Sequence, residues 1–113
     1  MLYAAICLFL IAVVCGLVLL AAILQNRHAP KFALYLHGPA ALCALVLTFI
    51  YAFTVSSNPL LITSLVLLSM AASGGLTLFL IDKRKRTLRK LIAVIHPLVA
   101  LAGILTLIVS VLP

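Results

Sequence analysis

The chain has 113 residues, 67% of them hydrophobic and only 8% charged, with eight Lys or Arg against a single acidic residue and a formal net charge of +7. Soluble domains hold roughly 45–50% apolar and about 25% charged residues, so this composition excludes a soluble globular domain and places the chain in a membrane. Nor does the positive charge point to nucleic acid, because the basic residues lie in the connections between apolar runs.

Four apolar runs, at about 2–24, 32–54, 60–81 and 91–112, are each longer than the roughly 20 residues that cross a ~30 Å hydrocarbon layer. None shows the alternation of a strand, and helices satisfy their own backbone in lipid. The first run reads as a helix that stays rather than a signal peptide, since it lacks a basic leader and Arg27 follows it. It carries Ala12 and Gly16, a spacing that permits close helix contact. Arg27, His28 and Lys31 follow in the first connection, where His28 is expected to face solvent or headgroups. The second run places Ala33, Ala40, Ala41 and Ala44 on the face of His37. An uncharged connection, Ser56-Ser57-Asn58-Pro59, leads to a third run with Ala71 and Gly75. Asp82 then precedes the basic run Lys83, Arg84, Lys85, Arg86, Arg89 and Lys90, and is expected to pair with one of these neighbours. The fourth run carries His96, with Val99, Ala100 and Gly103 on its face. Tyr3, Tyr51 and Phe53 sit where aromatic belts form.

With basic residues confined to the first and third connections, the positive-inside rule puts these in the cytoplasm and both termini outside. The basic run 83–90 is then a topology determinant beside anionic headgroups. The expected location is a bacterial inner membrane.

Displacing residues 1–54 by 59 positions, without a gap, lays Gly16 on Gly75, Arg27 on Arg86, Lys31 on Lys90 and His37 on His96. Matches among the scarce Gly, Arg, Lys and His residues indicate a duplicated two-helix unit. The expected fold is an all-α membrane protein, one domain over 1–113, with four transmembrane helices in an up-down-up-down bundle. It is built from two parallel two-helix repeats, 1–54 and 60–113. Helices two and four then share a diagonal, and His37 faces His96 across the bundle axis.

Each histidine lies six residues beyond its lysine (Lys31 or Lys90), roughly 9 Å deeper along a helix. A pair of histidines with glycines alongside and Arg27, Lys31, Arg86 and Lys90 above suits a flat anionic cofactor, the basic groups meeting its acidic arms. This pattern, a Gly and a His spaced 21 apart, twice, resembles the membrane b-type cytochromes, among them the cytochrome b561-like proteins and the haem subunits of respiratory complexes. The resemblance implies one haem b, with His37 and His96 as axial ligands and Gly16 and Gly75 as packing positions against the porphyrin. It also implies one-electron transfer with a quinone or a redox partner protein. Bis-histidine ligation leaves no open coordination position, which suits electron transfer. The second nitrogen of each ring needs a partner, and Pro39 and Pro97 free the carbonyls of Tyr35 and Ala93 for it. Many of these cytochromes carry two haems on four histidines. This chain has one intramembrane pair, which cannot by itself move an electron across the whole bilayer.

Other readings remain open at this point. The histidines could be a packing pair, a soft-metal site with Cys15 and Cys43, or the lining of a metal or haem transporter. Such a pore would need a polar path, for which helices two and four offer Thr48, Thr54, Thr106 and Ser110. A non-catalytic anchoring or assembly subunit needs only four apolar helices. A proton-coupled exporter is excluded, because no Asp or Glu lies within a span. No side chain is placed as an acid or base for bond-making chemistry, so a self-sufficient enzyme is not the expectation. The oligomeric state is left open.

Overall fold

A computed structural model describes residues 2–28, 30–55, 58–81 and 84–112, apart from the side chain of Arg86. Four helices account for most of them: α1 Leu2–Leu24, α2 Lys31–Thr54, α3 Pro59–Leu80 and α4 Arg86–Val111. All four are long and apolar enough to cross a membrane. The chain is an integral membrane protein of the all-α class, and no strand occurs among the described residues. Asp82, Lys83, Ser56 and Ser57 lie outside the described residues, and with them the expected Asp82 pairing.

The helix ends follow from local chemistry. Asn26 closes α1 in the left-handed conformation (φ 56°). From there its N–H donates to the Ile23 carbonyl at 3.1 Å, and the Arg27 N–H donates to that of Ala22 at 2.8 Å. This crossed pair of bonds is a Schellman ending, in which Asn is the commonest substitute for Gly. Pro30, at φ −59° and ψ 131°, holds the chain extended just before α2. At α3 the Asn58 side chain accepts the Leu61 N–H at 2.8 Å, ahead of Pro59 at the first helical position. Helix α4 begins five residues before its apolar run. Arg86, Leu88, Arg89 and Lys90 are good helix formers, and under the 59-residue offset Arg89 stands where Pro30 stops the other repeat. The apolar run therefore marks where lipid begins, while the helix continues into the headgroup layer. Both internal prolines, Pro39 and Pro97, leave their helices continuous.

Helix α1 packs chiefly on α2 and α3 on α4; the two hairpins then meet along looser α1–α4 and α2–α3 seams. On the diagonals, no described Cα of α1 comes within 8 Å of α3, nor any of α2 within 8 Å of α4. Leu2, Ala5, Phe9 and Ala12 are buried along α1; Leu61, Ser64, Leu68 and Ala71 are buried along α3. These two sets correspond one to one under the 59-residue offset. Their 3-4-3 spacing is the seam of a left-handed bundle.

The two ends of the bundle are filled differently. At the end carrying the chain termini, Leu2, Phe9, Leu61, Leu68, Ile104 and Leu107 interlock in one apolar cluster. Toward the basic end the buried side chains are small: Ala12, Cys15, Ala22, Ala33, Ala71 and Ala93. Large apolar residues such as Phe32, Leu42, Phe79 and Leu105 point outward, as lipid requires. Buried Thr48 and Ser64 donate their hydroxyls back to the carbonyls of Ala44 and Leu61 in their own helices.

Gly103 marks a close contact between α3 and α4. A Cβ there would stand 2.8 Å from Leu68 Cγ and 3.2 Å from Leu67 Cβ. Because Leu68 is buried and its branch point cannot swing aside, Gly103→Ala is expected to cost about 1–3 kcal/mol. Gly38→Ala, which meets nothing within 4 Å, serves as the neutral control. Thermal unfolding in detergent compares the two, and a Gly103→Ala protein as stable as its control would contradict this packing.

Candidate functional site

The only two histidines within the spans come together. The rings of His37 on α2 and His96 on α4 meet across the diagonal with centroids 6.0 Å apart and planes at 86°. Both residues are half-buried, at the level where the surrounding core side chains are alanines. Helices α2 and α4 have no close backbone approach, so the imidazoles themselves span the gap.

Glycines let each ring lie on the backbone of its hairpin neighbour. A Cβ at Gly16 would stand 3.1 Å from His37 Cε1 and 3.2 Å from Nδ1; one at Gly75 would stand 3.2 Å from His96 Cε1. Gly74 also borders His96, its Cβ position 3.6 Å from Nδ1. The glycines thus accommodate imidazoles, whereas the family resemblance casts them as rests for a porphyrin. His37 Nδ1 donates to the Ala12 carbonyl at 2.7 Å. Since a carbonyl can only accept, the proton sits on Nδ1 and Nε2 of the neutral ring is the nitrogen with a lone pair.

That bond corrects the expectation that Tyr35 would supply the acceptor. Tyr35 is 69% exposed on the lipid face, while His37 turns toward α1. A helix carries its side chains outward, so an imidazole reaches the neighbour's backbone more readily than a carbonyl two residues back on its own. Ala93 fails likewise for His96, whose buried Nδ1 has no hydrogen-bond partner. The Ala71 carbonyl, equivalent to Ala12 under the 59-residue offset, makes no hydrogen bond to that nitrogen. Ala12 and Ala71 were legible in the sequence only as small packing residues. The role of Ala12 as an acceptor, four residues ahead of Gly16, lay in the same spacing.

The basic residues are less equivalent than their alignment. Arg27 is exposed in the first connection and Lys31 is exposed at the start of α2. Arg86 opens α4, its side chain outside the described atoms, and Lys90 is half-buried one turn later. Arg89 has a buried Nε without a hydrogen-bond partner. His28 is exposed, as expected of a headgroup-facing residue. Cys15 is buried, but Cys7 and Cys43 are exposed. Among the described residues no group of three or more His, Cys, Asp or Glu could hold a metal ion, so Cys15 and Cys43 do not join His37 in a site.

The separation of the two rings is of the size that one metal shared by two imidazoles would require. A metal bound by two opposed imidazoles at about 2 Å each sets their ring centres on the order of 6 Å apart, and the His37 Nδ1 bond to a backbone carbonyl is the support that axial histidines need. Two clefts open elsewhere. One lies at the terminal end by Tyr3, Tyr51 and Asn58, and the other is an apolar groove between α2 and α3 lined by Phe49, Phe53, Leu65 and Met70. The end of the bundle beyond the pair is closed by the apolar cluster, and Thr48, Thr54, Thr106 and Ser110 each bond back to their own helix.

Comparison with protein-family models, with curated proteins and with solved structures finds no match.

Pro39→Ala separates the two accounts of His37. It restores a backbone donor to the Tyr35 carbonyl but leaves the Ala12 bond untouched. The imidazole ¹⁵N resonances of His37 are therefore expected to stay in place; displacement of Nδ1 would restore Tyr35 as its acceptor.

Proposed function

We propose that the chain is a membrane b-type cytochrome carrying a single haem held axially by His37 and His96. The observation that carries this reading is the pair itself: two imidazoles from diagonal helices at 6.0 Å, one already anchored through Nδ1. Ionisable side chains at membrane depth are functional by default, and these two meet ring to ring. Bound haem would supply one-electron chemistry. The protein's part is to offer Nε2 of His37, to surround the site with small apolar side chains, and to place basic groups at the near membrane face. Among these, Arg27, Lys31, Arg86 and Lys90 would be available to acidic arms.

On this reading the basic connections lie in the cytoplasm and the termini outside. An electron would pass between a quinone in the bilayer and a redox partner at the cytoplasmic face. Outward from the pair the axis is packed with Leu and Phe, which favours a site that exchanges with one side over a pore. A second reading rests on the same hydrogen bond. Interhelical contacts of this kind average about 0.6 kcal/mol, and an anchoring subunit could use His37 for packing alone.

Visible absorption of the purified protein, oxidised and then reduced with dithionite, decides between them. Sharp reduced α and β bands with a shifted Soret peak are expected, and His37→Ala or His96→Ala should each abolish the six-coordinate spectrum. A protein that stays colourless when haem is supplied would leave the packing role standing.

A further inference from the structure

The two histidines are not equivalent, and the glycines explain why. In a helix each side chain leans back over the preceding turn. The side chain at position 16 would therefore cover the Ala12 carbonyl, and one at position 75 would cover that of Ala71. With glycine at both places these carbonyls are bare on the faces that meet His37 and His96. A carbonyl already bonded within its helix keeps a second lone pair, so it can accept an imidazole N–H without loss to the helix.

We propose that Ala12–Gly16 and Ala71–Gly75 are two histidine latches, of which the first is closed and the second open. In the closed latch, His37 lies with its Cε1–Nδ1 edge on Gly16 and donates Nδ1–H to Ala12 at 2.7 Å. Its tautomer is set in advance, and Nε2 is the nitrogen offered to a metal. In the open latch, His96 lies with its Cε1 and Nε2 on Gly75, 3.2 and 3.5 Å from the Cβ position. Its Nδ1 is buried without a hydrogen-bond partner, so no bond of the kind His37 makes sets its tautomer. On the reading of the pair as ligands, His37 is the fixed one and His96 the movable one. Gly16 and Gly75 act through the histidines and are positioning residues. This extends the reading of the pair as ligands, but its test uses protein without haem.

The test is ¹⁵N NMR of the imidazoles in haem-free protein labelled at histidine and held in lipid nanodiscs. His37 is expected to show Nδ1 as the protonated nitrogen with a resolved one-bond N–H coupling, and Nε2 as the unprotonated one. His96 is expected to give an exchange-averaged pair of signals. Gly16→Val should abolish the selective Nδ1 protonation of His37. Gly16→Ala, which asks the ring to move only a few tenths of an ångström, should weaken it in the same direction and covers the case in which valine prevents folding. Gly38→Ala should change nothing, since its Cβ meets no atom within 4 Å.

A His37 proton on Nε2, or an Nδ1 signal indifferent to both Gly16 substitutions, would overturn the latch. A His96 spectrum as selectively Nδ1-protonated as that of His37 would overturn the difference between them. Haem added to the same samples reports separately on the ligand reading. Closed-latch signals in a protein that takes up no haem would sink the cytochrome and leave the latch intact.

Discussion

Lipid offers no hydrogen-bond partner, so a ring with two nitrogens must find both of its partners inside the protein. The bond from His37 Nδ1 to the Ala12 carbonyl answers half of that demand for one ring, and much else at this level follows from it. It needs a bare carbonyl, hence Gly16. It needs the ring to reach a neighbouring backbone, hence small residues along α1 and α2. It also leaves Nε2 as the nitrogen still to be satisfied, with the His96 ring centroid 6.0 Å from that of His37. The hydroxyls of Thr48, Thr54, Thr63, Ser64, Ser73, Thr77, Thr106 and Ser110 solve the same problem in another way, each returning its proton to a carbonyl of its own helix.

The bundle divides its labour along its length. Interlocking Leu, Phe and Ile at the terminal end supply cohesion, with Gly103 letting α4 press on Leu67 and Leu68. The basic half gives up that interlocking, because six of its buried positions are Ala or Cys. Packing density left unfilled by large side chains is destabilising unless something else occupies it. Here the imidazoles do so. A site that must open or change its contents is best placed where the core contributes least to holding the helices together.

Much of this was legible in the sequence because lipid imposes blunt rules. The four spans, the hairpin order and the meeting of His37 with His96 follow from hydropathy, short connections and a 59-residue offset. Helix ends were less legible. Hydropathy could not see that α4 starts at Arg86, since charged residues form helix as well as apolar ones do; Pro30 was the informative difference, visible only when the repeats are compared. The acceptor for His37 was missed because proline's freed carbonyl is conspicuous in sequence, whereas a carbonyl uncovered by glycine belongs to a neighbouring helix and shows no sign of its own. The equivalence of Arg27 with Arg86 held in the alignment only, one lying in a connection and the other opening a helix.

The two hairpins are internally tight and loosely joined, and each contributes one imidazole. Neither hairpin therefore owns the pair. A lone hairpin of either kind would hold half of it, and two copies would have to meet about a two-fold axis to oppose their rings. Covalent connection through Asn58 and Pro59 removes the concentration dependence of that encounter, and it lets the halves diverge. One ring can then be held fast while the other keeps its freedom, a difference that strict two-fold symmetry forbids.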